Sequence, residues 1–104
     1  MADAPMTDFA HLPHPAPVPS ETRDQALADP GFGSIFTDHM VTIAFDAARL
    51  ERGEDGWHDA KLCPREPIPL DPAAAVLHYA QEIFEGMKAY RWEDDSVALF
   101  RPEQ

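Results

Sequence analysis

Asp71-Pro72-Ala73-Ala74-Ala75-Val76-Leu77-His78-Tyr79-Ala80-Gln81-Glu82-Ile83-Phe84-Glu85-Gly86-Met87-Lys88-Ala89-Tyr90-Arg91-Trp92 decides the fold, because its apolar period changes part-way along. Asp71 followed by Pro72 marks a helix start. The aspartate can accept a first-turn amide, and a proline at the first helical position gives up an N–H that would have no partner there. Val76, Ala80 and Ile83 follow at i, i+4 and i+7, flanked by Leu77 and Phe84. They form one apolar face of a helix over 73–84, with Gln81 and Glu82 turned elsewhere. Gly86 is placed to stop it. Beyond it, 87–92 and 96–101 alternate with a period of two around the acidic turn Glu93-Asp94-Asp95, the pattern of a β-hairpin.

Upstream, Met40-Val41-Thr42-Ile43-Ala44-Phe45 is rich in β-branched residues and reads as a strand covered on at least one face. Residues 48–56 are charged and end in glycine, which predicts a loop or hairpin connection to a weaker strand over 57–62. Pro64, Pro67 and Pro69 then remove backbone donors and mark a surface crossing. These elements define an α/β class of the α+β kind, a mainly antiparallel sheet with one packed helix. Residues 1–31 differ. Six prolines fall there, four of them alternating from Pro13 to Pro19, and large apolar residues are few. This predicts a proline-rich flexible arm ahead of a folded part over 32–104. A short helix over 20–28, capped by Ser20, would have a single large apolar residue to bury.

A chain of 104 residues allows one small core, burying about 65% of the unfolded surface. The formal charge of −11 argues against nucleic acid and anionic membrane as partners. Cys63 is the single cysteine and has no internal disulfide partner, and no apolar run is long enough to span a bilayer. The N-terminus has no basic segment followed by an apolar one, so it does not read as a signal peptide. A reducing cytoplasm is the expected compartment.

The chemistry-bearing residues each have a plain structural reading. His11 and His14 sit in the arm without a second ligand pair, as solvated side chains rather than a metal site. Asp38-His39 resembles two members of a catalytic triad, yet no serine or cysteine occupies a nucleophile turn, so a pair orienting backbone at a strand entry is the expectation. Cys63 beside Pro64, without basic neighbours, reads as a packed thiol. Lys61 and Lys88 are the two lysines, and neither shows the desolvated or cationic setting a Schiff-base lysine needs. On spacing alone, Tyr79 and Phe84 belong to a core.

Leu77-His78-Tyr79-Ala80-Gln81-Glu82-Ile83-Phe84-Glu85-Gly86-Met87-Lys88-Ala89-Tyr90-Arg91 resembles the most recognisable stretch of the small domain of branched-chain aminotransferases, pyridoxal-phosphate enzymes of fold type IV. Phe32-Gly33-Ser34-Ile35-Phe36-Thr37-Asp38-His39-Met40 resembles that family's entry into its first strand, and Leu99-Phe100-Arg101-Pro102 the end of its hairpin. The likeness is read over 32–104.

The resemblance implies that Phe32, Tyr79 and Phe84 line the pocket for a branched apolar side chain, with the Tyr79 hydroxyl near substrate or cofactor. Gly86 and Lys88 would be structural. It implies transamination from leucine, isoleucine or valine to 2-oxoglutarate through pyridoxal 5′-phosphate, in a homodimer when full length. The Schiff-base lysine, the phosphate cradle and the carboxylate facing the pyridine nitrogen lie later in the family's chain, after the point where Arg101-Pro102 closes the pattern. No catalytic, cofactor-binding or metal residue is therefore expected within these residues, and alone they are expected to be inactive. A sheet ending at Arg101 with one helix on it also reads as the first part of a small domain cut before the large one. Two rival readings are a related type IV enzyme, such as an aminodeoxychorismate lyase or a D-amino-acid aminotransferase, and a non-enzymatic α/β interaction module using the acidic surface and the arm.

Overall fold

The computed structural model describes residues 8–100, in two compact units that divide between Pro67 and Ile68. The architecture is α/β, with mainly antiparallel strands and few helices. In the first unit the central strand is β3 (Trp57–Pro64), antiparallel to β2 (His39–Phe45) and parallel to the short β1 (Ala10–His11). Met40 lies opposite Cys63, Val41 opposite Leu62 and Thr42 opposite Lys61, while Ala10 and His11 take Lys61 and Leu62 from the other side. The apolar run at 40–45 is thus a strand as its β-branched content predicts. The weaker run at 57–62 is longer than expected and central, because its backbone is paired on both edges.

The register slips between Thr42 and Ala44, which leaves Asp59 and Ala60 opposite Ile43. Asp59 takes φ 55 there, the left-handed conformation of a bulge residue that aspartate tolerates better than most. Its carboxylate lies 3.5 Å from Lys61 Nζ.

The connection from β2 to β3, expected to be a charged loop, contains the helix α2 (Ala47–Glu51). Asp46 caps it, Oδ1 accepting the Ala48 N–H at 2.9 Å. At the other end Gly53 is left-handed with φ 77. Its N–H donates to the Leu50 carbonyl and the Glu54 N–H to the Arg49 carbonyl, the paired bonds of a Schellman ending. Arg49, Glu51 and Arg52 had made this segment read as loop, but they are good helix formers. Glu54 answers both arginines, at 3.4 Å from Arg49 and 2.6 Å from Arg52.

The arm is attached to this unit. Besides the β1 pairing, the Leu12 N–H donates to the Leu62 carbonyl at 2.8 Å, and α1 (Ser20–Ala28) forms over the expected residues. Ser20 is its first helical residue and not its cap. Pro19 stands at the cap position with no side-chain bond. Burial is shallow. Cys63, at 4% exposure, is the one buried apolar side chain among the residues described, and its thiol points at the Met40 carbonyl, 3.7 Å away. Phe45 and Trp57 meet edge-on at 4.9 Å where β2 and β3 join their connection.

The second unit holds α3 (Ala75–Tyr79) and a hairpin of β4 (Ala89–Arg91) and β5 (Val97–Leu99), with Tyr90 opposite Ala98. The helix expected over 73–84 is much shorter. Asp71 is not its cap and Pro72 is not its first residue: Ala74 stands at the cap position with no side-chain bond, and Asp71 instead closes the turn before it, accepting the Ala73 N–H at 2.8 Å through its side chain and the Ala74 N–H at 2.9 Å through its carbonyl. The stop is Ala80, left-handed at φ 49, and not Gly86. A helix this short depends on burying its apolar face, and here that face is uncovered: Ile83 is 90% and Leu77 57% exposed. The helix expected to be packed contains no buried residue.

The hairpin turn is better held. Trp92 N–H donates to the Ser96 carbonyl and Asp95 N–H to the Trp92 carbonyl, with Asp95 left-handed at φ 66, the three-residue loop expected for a type I turn followed by one left-handed residue. Asp94 Oδ1 accepts both the Ser96 hydroxyl at 2.6 Å and the Ser96 N–H at 3.0 Å. The hydroxyl first, and the amide next, hold the Asp94 carboxyl below the ordinary aspartate value of 3.8. A lowered folded value means that the turn's contribution is complete above the unfolded value and is lost as pH falls through the folded one. The Ser96 amide resonance is therefore expected to titrate with a midpoint below 3.8. Asp94→Asn should abolish that titration, and a midpoint at or above the ordinary value would remove the charged contact.

Candidate functional site

Phe32 is placed by its neighbours. Gly31 and Gly33 both adopt left-handed backbone, with φ 65 and 73, a conformation that glycine enters without steric cost. Between them Phe32 projects, 90% exposed. Tyr79 is the last residue of α3 and is 83% exposed, and Phe84 lies in the irregular segment after Ala80 at 84%. Spacing alone would have put Tyr79 and Phe84 in a core, and neither is in one. Phe32 belongs to the first unit, Tyr79 and Phe84 to the second.

The Asp38-His39 pair orients backbone. Asp38 Oδ2 accepts the Val18 N–H at 3.0 Å and His39 Nε2 accepts the His14 N–H at 2.9 Å. The two imidazoles of His14 and His39 stand edge-on, 6.1 Å apart, and His14 Nδ1 accepts the Ala16 N–H at 2.9 Å. The prolines of the arm explain why side chains are needed. Pro13, Pro15, Pro17 and Pro19 have no N–H, so the intervening amides are the donors left to satisfy.

One feature of the hairpin was missed from the sequence. Tyr90, Arg91, Trp92, Ala98, Leu99 and Phe100 line an open, mainly apolar cleft of about 540 Å³. Ala98 opposite Tyr90 leaves room that a larger residue would fill, so the available signal was a small residue among aromatics of one alternation. Lys61 is paired with Asp59, and Lys88 lies exposed with Nζ 5.4 Å from the centre of the Tyr90 ring, within cation–π range. Among the described residues no group of three histidine, cysteine or acidic side chains could hold a metal ion, and no helix is long and apolar enough to cross a membrane.

No family model matches the chain. Individual curated proteins do. A branched-chain-amino-acid aminotransferase of Mycolicibacterium smegmatis is 53% identical over 87 residues, 84% of this chain and 22% of that protein. A probable branched-chain-amino-acid aminotransferase of Streptomyces coelicolor is 56% identical over 92 residues, 88% of this chain and 24% of the relative. Branched-chain-amino-acid aminotransferase 2 of Bacillus subtilis is 49% identical over 73 residues, 70% of this chain and 18% of the relative.

A mainly antiparallel α/β segment with few helices is compatible with the small domain of a fold type IV aminotransferase. The chain belongs to the branched-chain-amino-acid aminotransferase family, and it spans about a fifth of the length of the curated relatives it matches. Two of these matches are longer than the stretch from Phe32 to Gln104. The likeness therefore reaches into the arm, beyond the limit read from the motifs.

Proposed function

We propose that the protein to which this chain belongs transfers the amino group of leucine, isoleucine or valine to 2-oxoglutarate, and that these residues form the first part of its small, substrate-side domain. The observation that carries this reading is identity above one half to two aminotransferases across most of the chain. The aminotransferase names of these relatives favour it over the lyase and D-amino-acid alternatives.

Within it, Phe32, Tyr79 and Phe84 supply apolar wall to the pocket for the branched side chain. Rigid aromatic surface selects bulk and shape, and each methylene is discriminated by about 1–3 kcal/mol, so one pocket serves three substrates. Their exposure suits side chains whose contacts are with substrate or with the rest of the protein, and a large uncovered apolar surface is what an assembling domain presents.

Pyridoxal 5′-phosphate would supply the electron sink of the reaction. The described residues do not fit it as its site. Lys61 is tied to a carboxylate and Lys88 lies on an aromatic ring in the open, so the Schiff-base lysine is assigned to neither. On this reading the 104 residues alone are inactive, and the whole protein works as a cytoplasmic homodimer.

The test is a substrate panel on the full product of the gene, with glutamate formation from 2-oxoglutarate as readout. Leucine, isoleucine and valine are expected to turn over well above D-alanine. Glutamate formed from D-amino acids, or direct cleavage of aminodeoxychorismate in a separate assay, without turnover of the branched-chain substrates would overturn the reading.

A further inference from the structure

The arm returns to the sheet at two adjacent residues after a long excursion. Val18 and His14 lie 20 and 25 positions from the side chains that hold them, Asp38 and His39. Everything from Pro19 to Thr37, including α1 and the Gly31-Phe32-Gly33 turn, is therefore a closed loop cinched at its neck. The loop holds little of its own. Helix α1 has no buried residue and Phe32 is 90% exposed; beside the neck, the Phe36 ring meets the Arg65 guanidinium at 4.8 Å, so the loop's course between Pro19 and Ile35 depends on ties at its two ends.

We propose that Asp38 and His39 are positioning residues: a two-point clasp that closes the 19–37 loop and thereby sets where Phe32 stands. That Phe32 meets substrate rests on the function proposed above, but the clasp itself does not.

The two points differ in chemistry. A carboxylate oxygen accepts an amide bond at any pH at which aspartate is charged. An imidazole ring offers one acceptor nitrogen, so removing the ring removes the bond. His39 receives the His14 N–H on Nε2, and the His14 ring receives the Ala16 N–H on Nδ1. At the neck the His14 ring stands edge-on to His39, Pro64 is the register partner of His39, and the Arg65 N–H donates to the Asp38 carbonyl. Thr37 Oγ donates to the His39 carbonyl at 2.6 Å and carries no charge.

The test is amide hydrogen exchange by NMR on the 104-residue chain, with the Met40 and Cys63 amides, opposite each other in the β2–β3 ladder, as its internal measure. At pH 8 the His14 and Val18 amides are expected to be protected at least about ten-fold over their intrinsic rates. Asp38→Ala should release Val18 and increase the backbone mobility of Phe32, whereas Asp38→Asn, which keeps an acceptor oxygen, should restore both. His39→Ala should release His14. Unprotected His14 and Val18 amides in the unaltered chain at pH 8 overturn the proposal whatever the ladder does, and so does a Phe32 whose mobility is the same in Asp38→Ala. These readouts involve no substrate or cofactor, so their failure is distinct from a failure of the aminotransferase reading.

Discussion

Replacing Gly56 with alanine is expected to open the end of the β2–β3 ladder. A Cβ at this position would stand 2.5 Å from Cε2 of Phe45, 3.1 Å from Cζ and 3.2 Å from Cδ2. Phe45 is half exposed, so its ring can swing out, but doing so gives up the edge-on contact with Trp57 at 4.9 Å. The cost is expected to be about 1–3 kcal/mol, combining overpacking with a lost aromatic pair. Chemical denaturation followed by Trp57 emission measures it. Phe45→Ala provides the control, because with no ring to collide with, Gly56→Ala should add little to it. Equal costs of Gly56→Ala with and without the ring would show that the close approach is not what requires glycine.

In the whole protein, Phe84→Ala is expected to lower kcat/KM for leucine by roughly 10- to 200-fold, the range for a lost apolar contact in a selective pocket, while changing kcat/KM for alanine far less. On the proposed reading alanine's methyl would not reach the Phe84 ring, so the ratio between the two substrates isolates the pocket from any general damage. Tyr79→Phe separates ring from hydroxyl in the same assay. If it matches the unaltered protein, the Tyr79 contribution is apolar. An equal fall for leucine and alanine in Phe84→Ala would remove Phe84 from the pocket.

Much of the fold was legible where local chemistry and tertiary pairing agree. The β-branched run at 40–45 and the acidic turn at 93–95 became strand and hairpin as their patterns predict, since each is stabilised by neighbours close in sequence. The helix over 73–84 was misjudged because a 3.6-residue apolar period states which face wants cover without providing the cover, and Ala80 turns left-handed where that face is uncovered. Helix α2 was missed for the opposite reason. Its Asp46 cap and Gly53 ending were in plain view, but its charged surface read as loop.

The arm's attachment was not legible at all. Nothing in Pro13-His14-Pro15-Ala16-Pro17-Val18 indicates that its amides will find Asp38 and His39 more than a dozen residues on. Of the site, Phe32, Tyr79 and Phe84 came from family resemblance alone, because spacing assigns Tyr79 and Phe84 to a core they do not occupy. The glycines that flank Phe32 were visible in the sequence, and their left-handed backbone supplies a local reason for its exposure.

The most direct test of the central claim, that this chain is the substrate-side part of a pyridoxal-phosphate aminotransferase whose lysine lies elsewhere, is borohydride reduction of the full gene product in the presence of pyridoxal 5′-phosphate, followed by peptide mapping. The account predicts one phosphopyridoxyl lysine at a position other than Lys61 and Lys88. Modification at either of those two, or a full-length product that takes up no cofactor, would contradict it.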